Sequence, residues 1–336
     1  MQILAKISSI LPIFIPHAGC PHQCVFCNQK KITARTSPVT SDDVVRAIET
    51  YLSTLKDMNL ETIEIAFYGG SFTGLPIEKQ NEYLSVAKHY KDAGKVDKIH
   101  LSTRPDYISD DILVNLKSYS VDVIELGVQS FDPEVLELSN RGHSSDVVYK
   151  ASEMIKDFGF TLGIQLMVGL PGDTLEKDIY SAKETVKIAP EIARIYPTVV
   201  IEDTELYEMS KDGRYIPLTL EDSILRTKEM YKILDDAEIK IIRIGLKSSD
   251  IINSENVTFH PAIRQLVEGE IARDIVDPIL KNISQEHVTI YANSKWLSNL
   301  VGNGGINRKH WESEYPNVTF TFKVDDSLDN KVFKIE

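Results

Sequence analysis

The chain contains only three cysteines among its 336 residues, and all three fall within eight consecutive positions. An odd number at such close spacing excludes a disulfide framework. No apolar run approaches the roughly 20 residues that a membrane-spanning helix needs. Apolar residues 3–15 are interrupted by Lys6, Ser8 and Ser9, and Pro12 and Pro16 break the stretch. No small-residue cleavage site follows, so the segment reads as a first strand and its approach rather than a signal peptide. A cytoplasmic protein with no membrane contact is expected. Positive charge is short as well: 37 Lys and Arg stand against 50 Asp and Glu, a formal net charge of −13. Nucleic-acid affinity is mostly electrostatic. The balance therefore makes nucleic acid an unlikely partner, and a small molecule is the expected substrate. There is no internal repeat and no low-complexity stretch.

What is present is an ordinary soluble composition, 42% hydrophobic and 26% charged. That suffices for one large α/β domain and a smaller unit. Strand-like segments fall at residues 11–16, 62–68, 98–103, 121–128, 160–168 and 192–200. Helical segments alternate with them, at about 41–55 with Ser41 and Asp42 as caps, at 78–92, after Ser109, from Pro133, at 144–158, and from Asp173 or Thr174 to about Ile188. Six such units predict parallel strands with right-handed crossovers. The strands read as near-continuous apolar runs, which suits burial on both faces. The fold class expected is α/β, a partial (β/α)6 TIM-like barrel over residues 1–246 with a small α+β appendage over 247–336. Chemistry in such a barrel sits at the C-terminal strand ends.

After Glu202 a helix at 221–234 and a strand at 239–246 follow. The appendage reads as strand, helix, helix and strand at 288–291, 295–301, 308–315 and 318–324. Between its helices lies Val301-Gly-Asn-Gly-Gly305, followed by Arg308 and Lys309. This order resembles part of a KH-type nucleic-acid module, whose Gly-x-x-Gly loop clamps a backbone. A plain helix–helix turn is the simpler reading.

The cysteines lie in Gly19-Cys-Pro-His-Gln-Cys-Val-Phe-Cys-Asn28, a C-x3-C-x2-C spacing with an aromatic residue before the last cysteine. A tight loop can bring the thiolates of Cys20, Cys24 and Cys27 onto one face of an iron–sulfur cube. Three ligands for four irons leave one iron open to chelate a cosubstrate. Phe26 is placed to shield the cluster. Zinc is the competing reading, since His17 and His22 are near, but neither stands at a usual zinc spacing.

The cysteine loop resembles that of the radical S-adenosylmethionine superfamily. Tyr68-Gly-Gly-Ser-Phe-Thr73, Ser102-Thr-Arg-Pro-Asp106, Glu125-Leu-Gly-Val-Gln-Ser130, Leu166-Met-Val-Gly-Leu-Pro-Gly172 and Arg194-Ile-Tyr-Pro-Thr198 are similar to the branch of the Elongator catalytic subunit. Gly127-Val-Gln-Ser-Phe131 and Arg141-Gly-His143 more distantly resemble oxygen-independent coproporphyrinogen oxidases. The resemblance implies a [4Fe–4S] cluster and S-adenosylmethionine as cofactors, reductive cleavage to a 5′-deoxyadenosyl radical, and a reducing partner such as flavodoxin or ferredoxin. It implies that Gly69 and Gly70 hold the methionyl amino group through backbone contacts, with Ser71 where other branches carry an acid. It also implies cosubstrate contacts from Gln129 and Arg141, and places Gln165 where the oxidases have an aspartate. Ser102 and Thr103 end their strand where ribose hydroxyls could bind. Met167, with Val168 and Leu170, flanks the adenine or is plain barrel core.

Tyr68, Glu125, Arg194, Tyr196, Arg243 and His260 lie near strand ends or at the start of the appendage and are the substrate candidates. Elongator catalytic subunits carry an acetyltransferase-type domain and a basic N-terminal region, and neither is read in these 336 residues. Compact chains with this barrel resemble queuine lyases. The expected reaction is therefore C–N cleavage of queuosine or its 5′-phosphate with release of queuine. The alternatives are Elongator-like modification of a tRNA wobble uridine, or an RNA-binding iron–sulfur protein.

Overall fold

The computed structural model describes residues 7–15, 20, 23–28, 38–55, 58, 60–247 and 258–336. Seven parallel strands form one sheet in sequential order: β1 (Ile7–Ile15), β2 (Leu60–Gly69), β3 (Lys98–Thr103), β4 (Val123–Gln129), β5 (Thr161–Val168), β6 (Ile192–Pro197) and β7 (Lys240–Ile244). Helices α1 (Ser41–Thr54), α2 (Ile77–Asp92), α3 (Asp110–Ser118), α4 (Pro133–Leu138), α5 (Ser145–Asp157), α6 (Leu175–Ile188), α7 (Glu205–Lys211) and α8 (Leu220–Asp236) connect them. The expected partial barrel is therefore present with one strand more than the six counted. The segment at 239–246 is not an outlier after the barrel. It pairs in parallel with β6 from Ile192↔Lys240 to Ile195↔Ile244.

Local chemistry explains the helix starts. Ser109, Asp132 and Thr174 each accept a hydrogen bond from the backbone N–H three residues on, and Pro133 takes the first helical position. The first helix departs from expectation by one residue. Thr40, not Ser41, is its cap, in a reciprocal box with Asp43.

The strands are not apolar on both faces, as their composition suggested. One set of alternating residues packs under the helices in the main core, including Ile65, Phe67, Leu101, Ile124, Leu126, Ile164, Leu166 and Ile195. The other set faces the concave side and is polar: Glu64, Tyr68, His100, Ser102, Glu125, Gln165, Arg194 and Tyr196. A period of two is hidden when buried polar residues are few. Curling follows from contact across the concave face. β2 and β6 stand four places apart, about 19 Å in a flat sheet, yet Arg194 Nη2 donates to the Tyr68 hydroxyl.

Residues beyond 258 build a second core around Trp296, Trp311, Ile290 and Phe320. Its elements are α9 (Ile263–Leu280), β8 (His287–Ala292), α10 (Ser294–Val301), α11 (Ile306–Glu314), β9 (Thr319–Val324) and β10 (Phe333–Ile335), with sheet order β10-β8-β9. The long helix α9 and the strand β10 were not anticipated. α9 contributes Ile263 and Val267 to the barrel core and Ala272, Val276 and Leu280 to the second core. Its apolar residues serve two directions, so no single stripe marks it as a helix.

Gly163 on β5 makes room for the concave charges: a Cβ there would stand 2.6 Å from Glu125 Cγ and 2.9 Å from Ile192 Cγ1. Gly163→Ala is expected to destabilise the protein by about 1–3 kcal/mol, the usual cost of overpacking, read by urea denaturation.

Candidate active site

The cysteine loop follows β1. His17 and His22, weighed as neighbours of the cluster, lie outside the described residues. Cys24 is 4% exposed and Cys20 and Cys27 are half-buried; none is in a disulfide. The loop is fastened on both sides. Cys27 N donates to Cys24 O at 3.0 Å, Val25 N to Ser139 O at 3.1 Å, and Leu206 N to Val25 O at 2.8 Å. Asn140 Nδ2 donates to Gln23 O at 2.9 Å. Val25 packs with Leu206, Met209 and Tyr215, and Phe26 lies half-buried against the same cluster. The ends of α4 and α7 thus position the loop.

Two buried guanidiniums accompany it. Arg141, 6% exposed, points Nη1 at Cys24 Sγ at 3.4 Å and donates Nη2 to Gly127 O, while its Nε has no partner. Gly127 leaves room for both side chains: a Cβ would stand tightly at 3.1 Å from Arg141 Nη2 and 3.0 Å from Gln129 Nε2. Arg104, which follows the end of β3, is 3% exposed. It grips Asp106 through Nε (2.9 Å) and Nη2 (2.8 Å), leaving buried Nη1 unpartnered. Burial opposes its charge; Asp106 and, more weakly, Cys20 and Cys24 favour it, and its pKa is raised. Buried N–H groups without partners are rare in finished interiors. Open guanidinium donors beside Cys24 and Cys20 fit an anionic, thiolate-bound cluster and an anionic cosubstrate group. Among the described residues no three His, Cys, Asp or Glu side chains are gathered for a single metal ion; a cube that takes one thiolate per iron does not demand that convergence.

Around this loop the strand ends are specialised. Gly69 adopts φ +112°, and a Cβ there would fall 2.5 Å from Ile15 O; Gly70 N donates to the same oxygen at 3.0 Å. The glycine pair thus clasps the end of β1. Gln129 holds φ +75°, uncommon for a side-chain-bearing residue, at a register shift in β4. Ser71 and Thr103 are not open to the mouth. Thr103 Oγ1 lies 2.8 Å from Ser71 Oγ and 2.6 Å from Thr73 Oγ1, and Arg104 N donates to Ser71 Oγ at 3.2 Å. Those hydroxyls tie the loop after β2 to the end of β3. His143 accompanies Arg141; burial and then the Arg141 charge push it down to about 4.

The concave side holds a second polar assembly. Glu125, 1% exposed, receives Arg194 Nε at 2.7 Å on Oε2 and His100 Nε2 on Oε1, both as charge contacts without hydrogen-bond alignment. Gln165 Nε2 donates to Glu125 Oε2 at 3.0 Å and to Ser102 Oγ at 2.9 Å. Tyr68 donates to Glu125 Oε1 at 3.4 Å, and Arg194 Nη1 to the Tyr196 hydroxyl at 3.3 Å. The structure thus joins four substrate candidates, Tyr68, Glu125, Arg194 and Tyr196, with Ser102 and Gln165. Met167 sits half-buried beyond Gln165 on the same strand. Arg243 stands beside Arg194 in the β6–β7 register and donates Nε to Gly245 O at 2.9 Å. His260 lies instead at the entry to α9, accepting from Ala262 N on Nδ1. Sequence reasoning missed His100, which is pinned between Glu64 and Glu125. Its signal was a lone polar residue two positions before Ser102.

Burial alone would raise the Glu125 carboxyl, but the charges of His100 and Arg194 prevail and hold it at about 2. Burial opposes the charge on His100, yet Glu125 raises its pKa. Burial, with Glu125, raises Tyr68 far above a free phenol. A depressed carboxyl stabilises the fold above its unfolded pKa of 4.5 and loses that contribution as pH falls towards 2. Glu125→Gln is therefore expected to be less stable than the parent at pH 7 by on the order of 3 kcal/mol. That gap should narrow between pH 4.5 and 2 in thermal unfolding followed across pH.

A parallel half-barrel with a three-cysteine loop at its mouth defines a radical enzyme scaffold. The chain belongs to the Radical SAM superfamily, which it matches over residues 14–184, and residues 190–273 match the Radical_SAM C-terminal domain. The cofactors of that superfamily are a [4Fe–4S] cluster and S-adenosylmethionine. Within it the chain is similar to Elongator-type proteins. It is 30% identical over 255 residues to a tRNA uridine(34) acetyltransferase of Methanocaldococcus infernus, covering 64% of this chain and 48% of that one. It is 28% identical over 223 residues to human Elongator complex protein 3, covering 57% and 41%. The structure of Methanocaldococcus infernus Elp3 with an N-terminal deletion superposes with a TM-score of 0.64 at 24% identity, covering 80% of this chain and 63% of that chain. The chain spans about half the length of the curated relatives it matches. Among the described residues no helix is long and apolar enough to cross a membrane.

Proposed function

We propose that the chain generates a radical for an Elongator-like modification of a uridine carried by tRNA. The observation behind this reading is its 30% identity to a tRNA uridine(34) acetyltransferase over 255 residues. A free queuosine substrate and a C–N lyase activity find no support among these relatives. The net charge of −13 argues against RNA only where charge is spread evenly, and the buried concave assembly is lined with uncharged donors and acceptors as well as charges.

In this reading Cys20, Cys24 and Cys27 would hold the cluster, which when bound would supply the one-electron reduction needed to cleave S-adenosylmethionine homolytically. Arg141 and Arg104 offer their open N–H groups to anionic groups at the mouth. The Gly69-Gly70 backbone and Gln129 border the cosubstrate. Tyr68, Gln165 and Tyr196 present hydroxyl and amide groups that suit a nucleoside, and Glu125 with Arg194 keeps them in place. Ionised Glu125 is spoken for by its partners, so it orients neighbours rather than accepting a substrate proton. The reductant is a flavodoxin- or ferredoxin-type protein.

The test is anaerobic reconstitution with iron and sulfide, followed by incubation with S-adenosylmethionine and dithionite. 5′-Deoxyadenosine is quantified by mass spectrometry with tRNA, with queuosine, with queuosine 5′-phosphate, and with no addition. Stimulation by tRNA alone is expected. Stimulation by queuosine or its phosphate, with release of queuine and none by tRNA, would overturn the proposal. Cys24→Ala should stay colourless and lose most of its iron by elemental analysis, whereas the parent turns brown.

A further inference from the structure

The C-terminal unit contains a motif that the barrel chemistry leaves unused. β8, α10, α11 and β9 follow one another along the chain. β8 and β9 lie side by side in parallel register from His287↔Thr319 to Ala292↔Val324. Gly302-Asn303-Gly304-Gly305 is the whole connection between the two helices. A βααβ unit with a Gly-x-x-Gly link between its helices is the arrangement by which KH modules clamp a single-stranded backbone.

The loop suits that task physically. Gly304 and Gly305 hold φ +60° and +74°, and a Cβ on either would meet nothing within 4 Å, so the backbone there is open to close approach. Gly305 caps α11 without a side-chain hydrogen bond, and Ile306 N–H turns back to Asn303 O, so the glycine backbone rather than a capping side chain faces outward at the helix start. The loop is braced from behind by α9. Asn303 Nδ2 donates to Gln265 Oε1 at 2.9 Å and Asn307 Nδ2 to Gly269 O at 2.9 Å. Asn307 is 1% exposed, and its Oδ1 has no partner; its Cγ lies 3.0 Å from where a Gly302 Cβ would be. The unfilled acceptor held against the turn can take a donor such as a ribose hydroxyl, not a phosphate.

An open sheet edge and two lysines, Lys309 and Lys323, fall in the same stretch. Residues 258–336 carry nine Lys and Arg against eleven Asp and Glu, so any attraction for phosphate is local to those lysines. Lys309 Nζ sits at the loop, donating to Gly304 O at 3.1 Å. β9 is the outer strand in the order β10-β8-β9, so its far edge is unpaired among the described residues. Thr319, Thr321 and Lys323 are exposed along it. α10 packs against both β8 and β9, which brings loop and edge to one helix.

We infer that this unit binds single-stranded RNA, the loop and the α11 N-terminus taking phosphates and the edge of β9 facing the bases. The choice of RNA rests on the proposed tRNA substrate; the surface itself does not depend on turnover. The test is fluorescence anisotropy with the full-length protein, a labelled tRNA and an unstructured RNA oligonucleotide, over a salt series. One variant combines Asn303→Asp with Gly304→Asp; a second combines Lys309→Glu with Lys323→Glu and leaves the loop backbone alone. Both should weaken binding several-fold and lower the slope of log affinity against log salt by about one per lost phosphate contact. Uncoupled 5′-deoxyadenosine formation in the absence of RNA should stay at the parental rate. Binding by both variants equal to the parent, or no binding of either RNA by the parent, overturns the inference. Variant-sensitive binding without tRNA-stimulated turnover would sink the substrate reading and keep this one; stimulated turnover with variant-insensitive binding would do the reverse.

Discussion

A carboxylate buried inside the curl of the sheet constrains much of the rest. Glu125 is almost wholly withdrawn from water, and an ion there persists only when paired. Its partners come from different strands: His100 from β3, Gln165 from β5 and Arg194 from β6. Arg194 then reaches Tyr68 on β2. These bonds cross the concave face and draw strands together that a flat sheet would hold far apart. The same closure gathers the strand ends around one mouth, where the cysteine loop, the glycine clasp and Gln129 meet. Gly163 is part of the arrangement, since the carboxylate occupies the space its side chain would need.

Much of this was legible in the residues. The cysteine spacing identified the chemistry, because three thiols in eight positions have few other uses. Strand ends were marked by Gly69-Gly70 and by Gly169-Leu-Pro-Gly172, and the helix caps followed ordinary rules. The strand count fell one short because β7 follows two helices and a long loop rather than a single crossover. The polar concave face was obscured because each strand places only one or two polar residues among apolar ones. His100 therefore looked like an ordinary interruption, and only the folded register sets it against Glu64 and Glu125.

The mouth shows the limit of spacing arguments more sharply. Thr103 ends a strand and was a natural choice for a ribose contact, yet its hydroxyl is engaged with Ser71 and Thr73. Arg104 follows it, before a proline, and no local pattern shows which neighbours it meets. Its burial, its grip on Asp106 and its unpartnered nitrogen emerge only in the folded chain. Neither outcome is written in a local pattern. Both are set by which neighbours reach a hydroxyl or guanidinium first.

The helix α9 ties two hydrophobic cores with a single rod about 27 Å long. Ile263 and Val267 root one end in the barrel, and Ala272, Val276 and Leu280 root the other in the C-terminal core. Gln265, within the barrel root, and Gly269, just beyond it, also brace the glycine loop. The loop is thereby kept at a set bearing from the barrel mouth, as the jaws of a caliper are kept by their beam. A polymer gripped at one jaw would offer the other only those units that lie one span along its length.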